Sequence, residues 1–255
     1  YIAGGNFNLT ASGDGISASG NMTLLDGMYT MTTGGGSENG KDHQEGGPGG
    51  QGGPGGGMDN PGEDMMTSGE RPMESRGEMP DNGQMMPPSD DQQPSGQMME
   101  QPDRSDEETE TEETTGTKGI KAKGDLIISG GTYTINAADD GIHSNSNITI
   151  NGGTVAIASG DDGVHADGQV TVNDGTIAIS ESYEGIEGNE KVLIVGGQII
   201  LTSSDDGFNG DTIEISGGHT EIDAEGDGID ANGILTISGG ETYVSGPTGD
   251  GDGAL

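Results

Sequence analysis

The sequence has no cysteine and no tryptophan, only two Phe and five Tyr among 255 residues, and eight basic residues against 45 acidic ones. Without Cys there is no disulfide framework, so the residues carry no record of a redox compartment. With 27% hydrophobic and 3% aromatic residues, a conventional core of large side chains cannot be assembled. A formal charge of −37 repels nucleic acid and anionic membrane surfaces, so the expected partners are cations, or anions bridged by cations. No apolar run reaches the roughly 18 residues that span a bilayer, so membrane insertion is not expected. The chain opens on Tyr1 with no charged and apolar signal segment before it, as in a mature protein or a fragment.

What is plentiful is glycine, at 53 residues, and it is unevenly placed. Residues 34–116 hold 20 acids, 4 bases, 9 of the 12 Met and 9 of the 10 Pro, with no Val, Ile or Leu. Stretches such as GGPGGQGGPGGG and SDEETETEETT cannot bury enough apolar surface to offset their ordering entropy, so 34–116 reads as a disordered insert. Residues 1–33 and 117–255 then form one domain interrupted at a turn, where added length is tolerated.

Outside the insert a repeat emerges. Gly131, Gly153, Gly175 and Gly197 stand 22 residues apart, and Gly218 and Gly240 continue the series after one deletion. A second series, Gly141, Gly163, Gly185, Gly207, Gly228 and Gly251, follows about ten residues behind. Apolar residues alternate with small or polar ones between them, as in Thr154-Val155-Ala156-Ile157, the period of a strand with one buried face. Aligned units give apolar columns: Phe7, Tyr29, Tyr133, Val155, Ile177, Ile199; Leu9, Met31, Ile135, Ile157, Ile179, Leu201, Ile222, Val244; and Leu24, Ile128, Ile150, Val172, Ile194, Ile215, Ile237. A third short strand starts at Ile142, Val164, Ile186, Phe208 and Ile229. Three strands and three turns per unit describe an all-β fold, a single-stranded right-handed parallel β-helix of seven to eight coils. A narrow stack of Ile, Val and Leu then suffices as a core.

One column is not explained by packing. Before the second Gly stand Asp14, Asp140, Asp162, Glu184, Asp206, Asp227 and Asp250, with Asp139, Asp161 and Asp205 in front of three of them. Neighbouring coils lie about 4.8 Å apart. Two unit charges at that distance repel by roughly 1 kcal/mol in water and about 3.5 kcal/mol at an effective dielectric near 20. A run of such pairs would cost on the order of a domain's whole stability, so a neutraliser is expected. In the coil broken by the insert the ladder residue is Lys118. The residue three further on, elsewhere Ser17, His143, His165, Glu187, Asn209 or Asp230, becomes Lys121. Both positions turn cationic together, as if a Lys ammonium replaced a bound ion between Asp14 and Asp140. Two or three carboxylates per turn and no Cys favour a hard, oxygen-loving ion, Ca²⁺ before Mg²⁺ or Zn²⁺. Turn propensity alone accounts for one Asp-Gly per turn but not for DDG at the same turn of three coils.

The units GGTVAIASGDDGVHADGQVTVN, DGTIAISESYEGIEGNEKVLIV and GGHTEIDAEGDGIDANGILTIS resemble the clostridial carbohydrate-binding β-helix family, itself similar to a stripped-down pectate lyase. The resemblance implies a secreted, extracellular or cell-surface protein that binds polysaccharide, either acidic glycans or cellulose. It also implies calcium at the turns of Asp140, Asp162, Asp206 and Asp227. Calcium with open positions would let glycan carboxylates complete its shell, with His143, His165, Asn209 and Tyr183 as candidate sugar contacts. The missing Trp speaks against cellulose, whose flat faces are met by stacked rings. A lyase would need a base beside the calcium. Lys191, flanked across the sheet by Gln169 and Thr212, has nothing there to lower its pKa, so catalysis is not expected. The ends at Ile2-Ala3-Gly4-Gly5 and Asp250-Gly251-Asp252 look uncapped, which suggests truncation or head-to-tail stacking into a fibre.

Overall fold

Each apolar column is a row of register partners. Phe7 pairs with Tyr29, Tyr29 with Tyr133, Tyr133 with Val155, Val155 with Ile177 and Ile177 with Ile199, always in parallel. The Leu9 to Val244 and Leu24 to Ile237 columns pair in the same way. A computed structural model describes residues 1–40, 116–247 and 253–255. These form a parallel β-solenoid of about eight turns with roughly 22 residues per turn.

A coil has three strand stations. The first holds Asn6–Ala11, Met28–Thr33, Thr132–Ala137, Thr154–Ser159, His219–Ala224 and Glu241–Ser245. The second holds Ile16–Ala18, Ile120–Ala122, Ile142–Ser144 and Val164–Ala166, and the third Met22–Leu24, Leu126–Ile128, Ile148–Ile150 and Gln169–Val172. In the fifth and sixth coils the corners also pair, so Thr176–Ile194 and Gln198–Ile215 run through all three stations, with Glu184 opposite Asp206. Three separate strands per coil were expected there. The acid-bearing turn is itself extended and hydrogen-bonded to its neighbour.

Burial follows the alternation. In Thr132–Ala137 every second residue is buried, and the interior is filled mainly by Ile, Val and Leu. The Phe7, Tyr29 and Tyr133 rings stack with nearly parallel planes, their centroids 4.9 and 4.6 Å apart. Tyr29 and Tyr133 are fully buried, and their hydroxyls donate to the carbonyls of Asp26 and Gly130, so neither loses a hydrogen bond on burial.

The two glycine series do different work. Gly131 and its successors adopt positive φ, from 82° to 115°, where any other L-residue is strained. Gly141 is in ordinary backbone, but a Cβ there would lie 2.6 Å from Ile157 Cγ2 and 2.7 Å from the Gly163 carbonyl oxygen. The first series turns the chain; the second lets the coils approach.

The folded part extends further into the expected insert than the sequence suggested. Ser37–Asn39 form a single 3₁₀ turn. Ser37 donates from its backbone N–H to Asn136 Oδ1 at 2.7 Å and from Oγ to Glu181 Oε2 at 2.8 Å. A Cβ on Gly40 would fall 2.5 Å from Gly160 Cα, so two glycines let this strap lie against the coils. Residues 41–115, most of the expected insert, and Asp250 with Gly251 and Asp252 lie outside the described residues. In the register expected for Asp250 and Gly251 the chain instead places Gly253 and Ala254, the Gly253 carbonyl accepting from Gly228 N–H at 2.9 Å. No helix among the described residues is long and apolar enough to cross a membrane.

Candidate functional site

The acidic ladder forms as a ladder, and its carboxylates first serve the backbone. Asp14 Oδ1 accepts from the Lys118 N–H at 3.1 Å, Asp140 Oδ1 from Asp162 N–H at 3.4 Å, and Asp162 Oδ1 from Glu184 N–H at 3.2 Å. Asp206 Oδ1 accepts from Asp227 N–H at 2.7 Å, and Asp227 Oδ1 from Gly253 N–H at 2.5 Å. Each acid thus caps the donor one coil away, satisfying an N–H that the corner would otherwise leave unpaired.

The second column, three residues further on, divides the ladder. Its members are register partners: Ser17, Lys121, His143, His165, Glu187, Asn209 and Asp230. In the early coils it supplies nitrogen. His143 Nδ1 lies 2.7 Å from Asp140 Oδ2, and Lys118 Nζ lies 2.7 Å from the same oxygen and 3.0 Å from Asp139 Oδ1. The anticipated bridge between Asp14 and Asp140 is therefore half formed: the ammonium serves the Asp140 side, while Asp14 receives the backbone N–H. Asp140 is buried, which taken alone raises its pKa; the bonds and charges of His143 and Lys118 outweigh that and hold it well below the usual carboxylate range. His165 Nδ1 lies 3.0 Å from Asp162 Oδ2 and 3.2 Å from Glu187 Oε2. Burial lowers its pKa, but the Asp162 hydrogen bond and the charges of Glu187, Asp162 and Asp140 carry it up to about 9.

From Glu184 onward the column supplies oxygen. Burial, then the charges of Asp162 and Glu187, push the Glu184 carboxyl up to about 8, although Asn209 Nδ2 donates to Oε1 at 2.6 Å. Its other oxygen, Oε2, is buried with no hydrogen-bond partner among the described residues. Burial is also the largest cause that raises Glu187 to about 7 and Asp206 to about 6, the latter helped by Asp205, Asp227 and Asp230. Asp230 is raised by burial and by Asp227. This is a row of carboxyls short of positive charge.

The early coils meet their carboxylates with protein nitrogens, and the later coils meet theirs mostly with further carboxylates. At Asp140 the carboxylate oxygen is already shared by Lys118 and His143. At Glu184, Glu187, Asp206, Asp227 and Asp230 the donors are carboxylates, with the Asn209 amide among them. Asp139, Asp140 and Asp161 bring their oxygens within 4.8 Å of one another, as do Asp162, His165 and Glu187 with their ligand atoms. Among the described residues, protein nitrogens already sit in both groups.

Asp205 and Tyr183 lie close enough to feel the ladder, Asp205 acting on Asp206, and Glu184 and Asp206 acting on Tyr183; both line a cleft with the Ser37–Asn39 strap. Lys191 pairs with Glu214 at 2.8 Å; its opposite neighbours are Gln169 and Thr212, as the columns implied, and the ion pair lies on a diagonal that column alignment did not reveal.

Comparison with known proteins agrees with the repeat. Residues 1–163 and 161–253 match the model of a carbohydrate-binding domain-containing protein family. The chain belongs to this family. No match was found to a curated protein or to a solved structure. The family's two matched stretches meet at the coil of Asp162, so the repeated ladder lies within both halves.

Proposed function

We propose that this polysaccharide-binding solenoid works outside the cell and holds acidic glycans through Ca²⁺ at the later part of its ladder, around Glu184, Glu187, Asp206, Asp227 and Asp230. The observation that carries the reading is the buried, unpartnered Glu184 Oε2 within a row of carboxyls whose pKa values are raised. When bound, Ca²⁺ supplies a cation with positions open to glycan carboxylates. Asp206 and Asp227 orient their free oxygens because each has its Oδ1 fixed by a backbone N–H. Asn209 fixes Glu184 through Oε1 and leaves Oε2 for the cation. His165, beside Asp162 and Glu187, marks the boundary with the self-neutralised coils. The reading makes the chain a binding module rather than a lyase: Lys191 is held by Glu214, and among the described residues the basic group that meets these carboxyls is His165, itself engaged by Asp162 and Glu187.

The test is binding of polygalacturonate and of a neutral glucan by the purified chain, each with calcium and with EDTA. Calcium-dependent binding of polygalacturonate alone, with no ultraviolet absorbance from unsaturated product, supports the reading. Binding indifferent to calcium rejects it.

A further inference from the structure

Among the described residues, three groups of carboxylate and imidazole side chains bring their ligand atoms within 4.8 Å of one another. Two of them already contain a fixed cation of the chain. Lys118 Nζ holds both Asp139 and Asp140, which serves the group of Asp139, Asp140 and Asp161 and also that of Asp140, His143 and His165. The third group, Asp162, His165 and Glu187, is joined by the imidazole: Nδ1 lies 3.0 Å from Asp162 Oδ2 and 3.2 Å from Glu187 Oε2.

The surroundings hold these three side chains in place. Asp162 Oδ1 takes the Glu184 N–H at 3.2 Å, which leaves Oδ2 for the imidazole. The other nitrogen of His165, Nε2, is buried with no hydrogen-bond partner among the described residues, and Asp167 Oδ1 stands 3.6 Å from it. Asn145 engages the second Asp167 oxygen at 3.1 Å, and the half-exposed Asp167 side chain can close the remaining gap. An imidazole with one nitrogen turned to carboxylate ligands and the other to an outer carboxylate is the arrangement of a metal-bound histidine.

The donor set selects the class of ion. Ca²⁺ takes oxygen ligands, whereas imidazole suits Zn²⁺, Cu²⁺ and Ni²⁺. Two ligand atoms about 2.1 Å from a tetrahedral ion stand about 3.4 Å apart, so Nδ1 and the two oxygens reach such an ion by small side-chain movements.

We propose that Asp162, His165 and Glu187 form a site for a borderline divalent ion of the Zn²⁺ class, which ties the fourth coil to the fifth and keeps one coordination position open to water or a sugar hydroxyl. The site adjoins the row assigned to Ca²⁺ and takes Glu187 from it, leaving Glu184, Asp206, Asp227 and Asp230 to calcium; it does not depend on calcium being bound there. The ion takes the place of the proton that His165 holds between the two carboxylates, so its binding releases that proton.

Calorimetric titration of the whole chain with Zn²⁺ tests the site, after the chain is stripped with EDTA, freed of the chelator and placed in excess Ca²⁺ to fill the all-oxygen positions. The expected result is a Zn²⁺ site that calcium does not compete away. His165→Gln should weaken it by about tenfold or more, and Asp167→Ala by about tenfold, the usual effect of losing an outer partner. The exposed His219→Gln should bind as the wild type does. With Cu²⁺ in place of Zn²⁺, the electron paramagnetic resonance spectrum of the wild type should carry imidazole nitrogen coupling, a readout that needs no variant to fold. Absence of Zn²⁺ binding, its displacement by Ca²⁺, wild-type affinity in His165→Gln or Asp167→Ala, an equal loss in His219→Gln, or a Cu²⁺ spectrum without nitrogen coupling would overturn the proposal. The rise of the melting temperature with calcium should persist in His165→Gln, so failure of the zinc site and failure of the calcium reading are seen separately.

Discussion

Lys118 Nζ sits 2.7 Å from Asp140 Oδ2, in the coil that resumes after residues 41–115. It places a half-buried cation one coil before a buried acid, and His143, in the acid's own coil, closes on the same oxygen. The ladder is thereby self-neutralised at its early end. Whatever the later coils need must come from elsewhere.

Removing that ammonium leaves Asp140, with a side chain 2% exposed, to His143 at 2.7 Å and the more distant His165 at 3.9 Å. Breaking a buried pair by deleting one partner costs about 3 kcal/mol or more. Lys118→Met should therefore lower the urea midpoint strongly at unchanged slope. Lys191→Met, which breaks the half-exposed pair with Glu214, should cost at most about 1 kcal/mol. Comparable losses in the two variants would contradict the division of the ladder.

The pH dependence has two limbs. Asp140 is held below the ordinary carboxylate value, so its contribution is present above about pH 4 and is lost as pH falls below that. His165 is raised to about 9, so its contribution is complete below about pH 6.5 and is lost as pH rises through 9. Thermal melts in EDTA should show stability falling on both sides of a region near pH 5 to 6. The alkaline limb should flatten only in part in His165→Gln, because Glu184, Glu187 and Asp206, raised to about 8, 7 and 6, also cost stability as they ionise with rising pH, and the acid limb should flatten in Asp140→Asn.

Gly141→Ala should be among the most destabilising single-methyl changes in the chain. The added carbon meets Ile157 and the Gly163 carbonyl in a stack with no room to move, a loss of roughly 2 to 3 kcal/mol. Gly20→Ala meets nothing within 4 Å and should be near neutral. Equal effects would mean that the coils are not packed as tightly as the second glycine series implies.

The columns were legible because a solenoid writes its tertiary contacts as a fixed spacing: Ile135 under Ile157 and Ile157 under Ile179 follow from counting 22, and Tyr29 falls beside Tyr133 once the insert is set aside. The same counting found the acids and the substitution of Lys118 and Lys121. It did not reveal that Asp162 and Asp206 spend one oxygen on the next coil's N–H, since the carboxylate's reach depends on how the corner turns. Nor did it foresee that Asp205, in front of the ladder residue Asp206, lines a cleft with the strap. The Ser37–Asn39 strap was invisible because its partners, Asn136 and Glu181, are 99 and 144 residues away and follow no period. The continuous strands through Glu184 and Asp206 were missed because Asp, Glu and Gly argue for a turn, and parallel pairing with an equally extended neighbour overrides that preference.

Calcium titration of thermal stability tests the central claim most directly. At about 100 times its dissociation constant, an ion that binds only the folded chain adds roughly 2.7 kcal/mol per site. The melting temperature should therefore rise with calcium and fall back with EDTA in the wild type and in Asp140→Asn, and should barely respond in Glu184→Gln with Asp206→Asn. An unresponsive wild type, or a calcium response that survives in the Glu184→Gln and Asp206→Asn double variant, would contradict the account.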